Sequence, residues 1–215
     1  MVNGEVRGAL IGWGIDPARV HVVPSVYADL PLIQTLPPAS PTFDLVFCAR
    51  LVANKGLLPV LDAVAKCPGV RVLVLGDGPL RGTAESRVKK LNIADRVEFR
   101  GWVPDRKDLY AAIRSAKYFV MNSLSEGGPR VAAEALACGV PLITTRVGLM
   151  PGLVREGMNG VFTDGTLTDL ASIFTRLLPD TTKRTQMSAA AALTPVEDRQ
   201  TCIRRYSAFL HSFAR

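Results

Sequence analysis

The amino-acid sequence predicts an α/β fold built on a doubly wound parallel sheet of about six strands, with helices on both faces. Three observations predict it. Apolar runs of strand length alternate with amphipathic stretches of helical length from residue 43 onwards. The connections between them are short, which is typical of strand–helix–strand units. Runs such as LVFCA and VLVLG are apolar at consecutive positions, as strands covered on both faces must be.

This alternation defines six strands, each followed by a helix, in one domain that spans residues 43–180. The strands are predicted at 43–49, 70–76, 96–102, 117–123, 141–145 and 160–163. The helices are predicted at 57–67, 79–92, 106–116, 129–139, 148–157 and 166–179. Because strand–helix–strand crossovers are right-handed, the hand of the sheet is fixed as well.

The chain on either side of this domain has a different character. Residues 1–42 hold one amphipathic segment, an extended piece at 20–24 and a Pro-rich stretch at 31–41 that cannot form one continuous helix or central strand. We interpret them as an interdomain segment left from a preceding N-terminal domain. Residues 181–215 are predicted to be helical, with Pro195 separating an Ala-rich helix from a final one.

The overall composition excludes several classes of protein. The 215 residues are 48% apolar, which is too apolar for a disordered chain. No run approaches the roughly 18 uncharged apolar residues of a membrane span. The net charge is +7, but the basic residues are spread out without interleaved aromatics, which argues against a nucleic-acid partner. Phosphate-bearing ligands and peripheral contact with an anionic membrane remain compatible with this charge.

Histidines and cysteines are few and scattered. His21 and His211 lie near opposite ends of the chain, which argues against a His-based metal site or a Ser-His-Asp triad. The cysteines stand in apolar stretches and never in C-x-x-C spacing, so we expect four buried thiols in a reducing compartment. They are Cys48, Cys67, Cys138 and Cys202. We therefore expect a cytoplasmic location, with contact at the inner face of the membrane left open.

The segment after the fourth predicted strand carries the strongest signal for a ligand. In an open parallel sheet, ligands bind at the carboxyl ends of the strands, where helix N-termini present free N–H groups. Residues 122–141 read NSLSEGGPRVAAEALACGVP. Gly127 and Gly128 allow close approach of the backbone to a ligand, and Pro129 suits the first position of a helix. This combination predicts an anion-accepting helix N-terminus.

Two carboxylates belong to the same segment. Glu126 precedes the helix, and Glu134 lies eight residues later within it. Carboxylates are poor phosphate ligands but good acceptors for hydroxyls, so we expect a ligand whose phosphates lie between two hydroxyl-bearing groups. A sugar joined through a diphosphate to a ribose has this layout. The alternative is that Glu134 pairs with Arg130 on a solvated helix face, worth about 0.3 kcal/mol.

Two cations follow the first predicted strand, in the segment ARLVANKG. Arg50 and Lys55 flank a turn that ends in Gly56, so both can reach over the same strand end. A guanidinium and an ammonium at this position would neutralise a diphosphate, including one that departs with its negative charge. The alternative is an ordinary surface loop with two solvated cations.

The turns after the second and third strands are less specific. GDGPL at 76–80 suggests a dinucleotide site, but the G-x-G-x-x-G pattern fails because residue 81 is Arg, and Glu98 is better explained as an exposed side chain on an edge strand. In RGWVPD, backbone groups at Trp102 and Val103 could hydrogen-bond a flat base. Trp102 could equally be a packing residue.

Together, these segments resemble the C-terminal, donor-binding half of the GT-B retaining glycosyltransferases of the glycogen-synthase and mannosyltransferase type, glycosyltransferase family 4, whose two domains are Rossmann-like. ARLVANKG is similar to the family's G-R-L-x-x-x-K-G segment. VLVLGDGPLR and RVEFRGWVP are similar to its G-x-G-P and V-x-F-x-G-x-V segments. SEGGPRVAAEALACGVPLITT resembles its E-x7-E signature and the E-A-x-A-x-G-x-P-V-I run. The resemblance covers roughly residues 43–180.

The resemblance implies a role for each matched residue. Glu126 would contact the donor sugar, Glu134 the ribose hydroxyls, and main-chain groups near Val103 the base. Arg50 and Lys55 would bind the diphosphate and act with Glu126 in catalysis. The other donor-binding residues would be Gly76, Gly127, Gly128, Pro129 and Arg130. The family needs no metal, so no cofactor is expected beside the UDP- or GDP-linked sugar substrate.

Two segments depart from the family pattern. The family usually has Gly-Gly-x-x-Glu after the strand ending near Thr145, where this sequence places Leu149 and Gly152. The usual P-x-G-x-D appears as PSVYAD at 24–29. The first departure would alter donor contacts, and the second would reshape the hinge side of the domain.

The sequence therefore suggests the donor-binding half of a hexose-transferring enzyme. The partner domain, which the family places before this one, would supply the acceptor site in cis or in trans, so the chain alone should be inactive or nearly so. In the family the last helix braces that domain, here with a stripe of Ile203, Tyr206, Leu210 and Phe213. A 2-epimerase-like enzyme and a non-catalytic interaction module are the alternatives. The base, the sugar, the acceptor and the linkage stay open.

Overall fold

The computed structural model describes residues 4–23, 26–38 and 40–212. Its strands are β1 (Tyr27–Ala28), β2 (Phe43–Cys48), β3 (Val72–Leu75), β4 (Val97–Gly101), β5 (Ala116–Met121), β6 (Leu142–Thr144), β7 (Gly160–Phe162) and β8 (Glu197–Asp198). Strands β2 to β7 form one parallel sheet in the order β4-β3-β2-β5-β6-β7. This order confirms the predicted doubly wound parallel sheet, with each strand one to three residues shorter than its apolar run.

Helices cover both faces of this sheet. They are α1 (Gly4–Gly12), α2 (Leu30–Gln34), α3 (Leu57–Lys66), α4 (Arg81–Lys90), α5 (Arg106–Arg114), α6 (Arg130–Ala137), α7 (Met150–Leu153), α8 (Leu167–Leu177), α9 (Thr181–Ala192) and α10 (Arg199–His211). Short 3-10 turns span Pro17–Arg19 and Ala53–Lys55. Among the described residues, none of these helices combines the length and the apolar content that a membrane crossing requires.

The core lies on both sides of the sheet, as the doubly apolar strands require. On one face Phe47 and Tyr118 pack with Phe174 of α8. On the other face Val46 and Phe119 pack with helices α5 and α6. Alternate residues of one strand therefore serve opposite layers, because successive side chains of a strand point to opposite faces.

Helix α7 is much shorter than the predicted helix at 148–157. The side chain of Asn159 accepts a hydrogen bond from the Arg155 N–H at 2.7 Å and donates one to the Leu153 carbonyl at 3.1 Å. These bonds satisfy the backbone in a turn rather than a helix. Gly148, in the left-handed region at φ 56°, keeps the segment before α7 out of helical conformation.

Described residues on both sides of 43–180 also pack against the domain. The Pro-rich stretch contains the short helix α2, which Asp29 caps, and Leu32 and Ile33 of α2 pack against the core. Strand β1 pairs in parallel with β8, a contact that no sequence pattern predicted because two residues carry no periodicity. Residues 20–23 form no strand, although Val20 and Val23 are buried. The interpretation of residues 1–42 as an interdomain segment stays a prediction.

The final helix keeps part of its apolar stripe exposed. Ile203 is 49% exposed and Leu210 is 64% exposed. Tyr206 is half-buried and donates a hydrogen bond to the Val23 carbonyl. Phe213, the fourth residue of the predicted stripe, lies outside the described residues. The role of this helix as a brace for a preceding domain stays a prediction.

The cysteines are less uniformly buried than predicted. Cys67 and Cys202 are buried, whereas Cys48 and Cys138 are half-buried. Cys48 is the last residue of β2 and Cys138 follows the last turn of α6, so neither residue is enclosed by regular structure on all sides.

Candidate functional site

Three loops meet at the carboxyl edge of the sheet. Gly56 follows β2 at φ 69°, and a Cβ added there would lie 2.1 Å from the Asn122 carbonyl oxygen in the loop after β5. Gly148 follows β6, and its added Cβ would lie 2.6 Å from the Glu126 carbonyl oxygen in the same loop. These approaches admit only hydrogen at either position. The loops after β2 and β6 are therefore packed directly on the loop after β5.

Lys55 and Glu126 form an ion pair within this packed region. Lys55 ends the 3-10 turn after β2, and its Nζ lies 2.6 Å from Glu126 Oε1. Ser123 Oγ donates a second hydrogen bond to the same oxygen at 2.6 Å. The two charged side chains are only 21% and 13% exposed. The structure thus brings together two of the residues that the sequence predicted for one site.

Arg50 lies in the same loop as Lys55 but has a different environment. It follows β2 directly and is exposed. Its side chain makes no hydrogen bond or ion pair with any described residue. The loop after β2 therefore offers one paired cation and one cation that is available to an anionic ligand.

The glycine pair and Pro129 lead into the N-terminus of α6. Gly127 and Gly128 are half-buried and Pro129 is buried. Pro129 takes the N-cap position and the helix begins at Arg130, one residue later than predicted, because the ψ of Pro129 is extended at 94°. No side chain caps this end of the helix, so its first N–H groups have no side-chain acceptor.

Glu134, one turn into α6, is buried at 2% exposure. Arg106 Nη1 and Tyr110 Oη both donate hydrogen bonds to its Oε1, the latter at 3.3 Å. Arg130 Nε lies 3.4 Å from the same oxygen. The ion pair between Glu134 and Arg130, which the alternative interpretation predicted, therefore exists. The carboxylate does not face solvent as that interpretation required, because helix α5 covers it.

The electrostatics of Glu134 follow from this burial. Desolvation raises the pKa of its carboxyl, and the positive charges of Arg106 and Arg130 oppose that rise. Burial, with the negative charge of Glu134 as a second cause, raises the pKa of Cys48 to about 12. Glu134 binds Arg106, the first residue of the helix that follows β4, so it lies near the carboxyl edge of the sheet, as Lys55 does.

A chain of hydrogen bonds connects Glu134 to the segment before the domain. Tyr110 is fully buried, and while it donates to Glu134 its oxygen accepts from the Asp29 N–H at 3.2 Å. Arg130 donates to the hydroxyl of Tyr27 at 3.0 Å, and its guanidinium lies 5.2 Å from the centre of the Tyr27 ring. Sequence reasoning missed Arg106 and Tyr110 as partners of Glu134, and Tyr27 as a partner of Arg130. The sequence held one signal for these partners. The helix after β4 also begins at the carboxyl edge of the sheet, so residues of its first turn could have been expected near the site.

The loops after β3 and β4 border the same edge. Gly76 has φ 112°, and an added Cβ would lie 2.0 Å from the Ala49 carbonyl oxygen. Val103 packs against the same apolar cluster as Cys48 and Val131. Trp102 is 76% exposed, so its interpretation as a packing residue is wrong.

The structure also shows where two further residues singled out in the sequence lie. Glu98 lies exposed on the edge strand β4, as predicted, and it forms an ion pair with Arg100. Gly152, at the position where the resembled family has Glu, is exposed within α7. Within the described ranges, no group of three or more His, Cys, Asp and Glu side chains is placed to hold a metal ion.

The matching family model and the relatives described below are all glycosyltransferases. The model of the family described as glycosyl transferases group 1 matches residues 33–194. The chain is 33% identical over 140 residues to the lipopolysaccharide core biosynthesis glycosyltransferase LpsE of Rhizobium meliloti, covering 65% of this chain and 40% of that protein. It is 34% identical over 178 residues to D-inositol 3-phosphate glycosyltransferase of Mycobacterium tuberculosis, covering 76% of this chain and 36% of that protein. The chain thus spans well under half the length of these relatives.

Solved structures share the fold. The crystal structure of HepE from Anabaena in complex with UDP and glucose superposes with a TM-score of 0.83 at 24% sequence identity, over 98% of this chain and 62% of that one. At this identity the likeness shows the fold alone. The family model covers most of the chain and includes the loops after β2 to β6 and helices α5 and α6. The chain therefore belongs to the glycosyl transferases group 1 family.

Proposed function

We propose that this chain is the nucleotide-sugar-binding half of a retaining, metal-independent glycosyltransferase of family 4, which transfers a hexose from a UDP- or GDP-linked donor to a hydroxyl acceptor. One observation carries the proposal. The Lys55–Glu126 pair and the buried Glu134 stand at the two ends of one loop-and-helix segment, and the uncapped N-terminus of α6 lies between them. This arrangement matches a ligand with an anionic centre and hydroxyl groups on both sides.

The anionic centre is a diphosphate in this proposal. Arg50 supplies an exposed cation with no protein partner among the described residues, and Lys55 supplies a second in the same loop. The N-terminus of α6 adds free N–H groups and the positive end of a helix dipole. Gly127 and Gly128 let the backbone come close to the phosphates because they carry no side chain.

The hydroxyl groups on either side are those of the donor sugar and the ribose. Glu126 accepts from the sugar and Glu134 from the ribose, since ionised carboxylates are acceptors only. Gly76 and Val103 border the space left for the base, which main-chain groups near Val103 contact. Pro129 and Arg130 shape the entry to α6. The complex of HepE from Anabaena with UDP and glucose supports a UDP-linked donor.

The chemistry is electrostatic. Departure of the nucleoside diphosphate leaves negative charge on its terminal phosphate, and Arg50, Lys55 and the helix N-terminus stabilise that charge as it develops. No enzymic nucleophile is assigned, and Glu126 acts by holding the sugar. The acceptor hydroxyl and further catalytic groups come from a preceding Rossmann-like domain, in cis or in trans. Relatives that are more than twice as long as the matched region support this division.

The division of the chain follows from the same proposal. Residues 1–42 connect to the preceding domain, residues 43–180 bind the nucleotide-sugar, and residues 181–215 pack back towards the preceding domain. We place the protein in the cytoplasm, with peripheral contact at the inner membrane face compatible with its charge of +7.

Calorimetric titration tests the proposal. The chain is titrated with UDP, GDP, UDP-glucose and GDP-mannose, as wild type, as Glu134→Ala and as Glu98→Ala. Glu98 is the matched control because it is an exposed carboxylate at the start of the edge strand. We expect binding of one nucleotide series by the wild type and by Glu98→Ala, and its loss in Glu134→Ala. Equal binding by both variants contradicts the site, and no binding by the wild type supports a non-catalytic interaction module.

A further inference from the structure

Arg106 stands out among the side chains around Glu134. It is the first residue of α5, and Tyr110 lies one turn later on the same helix face. Both residues donate to Oε1 of Glu134, and Arg130 approaches that oxygen as well. Three donors from two helices thus converge on a single carboxylate oxygen.

The other oxygen of Glu134 is used differently. No hydrogen bond from any described residue ends on Oε2. A carboxylate has about four acceptor positions on its two oxygens, so half of this one remains for a ligand. The protein therefore fixes the carboxylate by one oxygen and leaves the other oxygen for an external donor.

The three donors differ in how they are themselves held. Tyr110 is fully buried and bound to the backbone of Asp29. Arg130 is bound to the hydroxyl and the ring of Tyr27. The hydrogen bond of Arg106 goes to Glu134 alone among the described residues, and its side chain is 37% exposed. Of the three donors, Arg106 is therefore the one whose position depends on the Glu134 carboxylate.

We propose that Arg106 is a positioning residue for the ribose subsite, which holds the Glu134 carboxylate ionised and oriented so that Oε2 accepts hydrogen bonds from a vicinal diol. The proposal rests on the function proposed above. Arg106 itself does not touch the donor in this arrangement; it acts through Glu134.

The electrostatics support this role. The groups that face Glu134 are Arg106 and Tyr110 on α5, Arg130 on α6, Cys138 just after α6, and Cys48 on β2. Burial raises the pKa of the Glu134 carboxyl, and Arg106 is the largest influence against that rise. Without Arg106 the pKa of this carboxyl rises further, so the protonated form persists to higher pH. A protonated carboxyl carries an O–H donor and has lost acceptor positions, so it binds a diol less well.

The experiment follows UDP affinity by calorimetry between pH 6 and pH 9, for wild type, Arg106→Gln, Arg106→Lys and Lys107→Gln. Lys107 is the matched control because it is the next residue of α5, is exposed and carries the same charge. We expect Arg106→Gln to bind UDP about tenfold more weakly at pH 7 and to recover as pH rises, because Glu134 then ionises. Arg106→Lys should restore most of the affinity, and Lys107→Gln should follow the wild type.

Inorganic pyrophosphate is the second probe, since it lacks a ribose. Arg106→Gln should bind it as the wild type does, which also shows that the variant is folded. The proposal is overturned if Arg106→Gln matches Lys107→Gln at every pH, or if it loses pyrophosphate and UDP affinity equally. Wild type that binds neither UDP nor GDP refutes the proposed function instead, whereas binding that depends on Glu134 but not on Arg106 refutes only this inference.

Discussion

Lys55 Nζ lies 2.6 Å from Glu126 Oε1, so two residues proposed to hold different parts of the ligand are paired with each other. The pair is mostly screened from water, which strengthens the attraction between its charges. A diphosphate must therefore compete with Glu126 for the ammonium group, or share it. Glu126 should therefore affect the two ligands differently. It competes with the diphosphate of UDP for Lys55, whereas it also accepts hydrogen bonds from the sugar of a UDP-linked sugar.

Replacing Glu126 should separate these two contributions. In Glu126→Gln the ammonium of Lys55 has no competing carboxylate, so we expect UDP to bind as tightly as to the wild type or about three times more tightly. The gain in affinity from the sugar of UDP-glucose should disappear, since the sugar loses its acceptor. Paired titrations with UDP and UDP-glucose measure both effects, with Glu98→Gln as the control. A variant that weakens UDP alone contradicts the competition between diphosphate and Glu126.

The exposed Trp102 provides a direct optical signal for the base. The chain has two tryptophans, and Trp102 lies beside the backbone proposed to contact the base, whereas Trp13 follows α1. We expect UDP to change the fluorescence of the wild type and of Trp13→Phe, because a bound base shields or stacks on the indole of Trp102. Trp102→Phe should show no change. A UDP-dependent signal that persists in Trp102→Phe would place the base elsewhere.

Hydrophobic period and turn chemistry were sufficient to predict the sheet and the edge at which its polar loops meet. Strands covered on both faces leave apolar runs in the sequence, and β2 to β7 follow those runs in order. Parallel strands present their carboxyl ends at one edge, so residues after β2 and β5 were expected to lie together. Lys55 and Glu126 do so, although their direct pairing was not expected.

The partners of Glu134 could not be predicted in the same way. Arg106 and Tyr110 are polar or amphipathic residues on an amphipathic helix, and such residues usually face water. Only the packing of α5 against α6 turns them towards a buried carboxylate. The contact between β1 and β8 joins residues about 170 positions apart and has no local signal, because two-residue strands are selected by the surrounding packing.

The glycine after the 3-10 turn should be essential for the stability of this edge. In Gly56→Ala the new methyl group would lie 2.1 Å from the Asn122 carbonyl oxygen and would occupy a left-handed conformation. We expect a loss of about 3 kcal/mol in the free energy of unfolding, measured with guanidinium chloride. Gly82→Ala is the control: Gly82 lies in α4 with nothing within 4 Å, so about 0.5–1 kcal/mol should be gained. Equal stability of the two variants would contradict the close approach.

The thiols should react slowly in the folded protein. Burial raises the pKa of Cys48 and of Cys138 to about 12 each, and burial also raises the pKa of Cys202. At pH 8 only about one Cys48 or Cys138 side chain in ten thousand is then a thiolate, the form that attacks disulfide reagents. We expect slow labelling by a disulfide reagent at pH 8 and rapid labelling of four thiols in guanidinium chloride. Fast reaction of Cys48 and Cys138 in the native chain would contradict their burial.

The buried Glu134 should leave a signature in the pH dependence of stability. Its folded pKa lies above the ordinary value of 4.5, so between these two values the folded state binds more protons than the unfolded state. The contribution of Glu134 to stability is therefore greatest at low pH and declines as pH rises through that interval. In Glu134→Gln this decline is removed.

Between pH 4 and pH 7, the free energy of unfolding of the wild type should consequently fall relative to that of Glu134→Gln. Guanidinium titrations at both pH values measure it, with Glu98→Gln as the control, since Glu98 is exposed and should show a smaller shift. A shift in favour of the wild type over this range would mean that Arg106 and Arg130 outweigh burial and hold the folded pKa below 4.5. Glu134 would then be stabilised chiefly by its ion pairs, and the loss of Arg106 would cost orientation rather than ionisation.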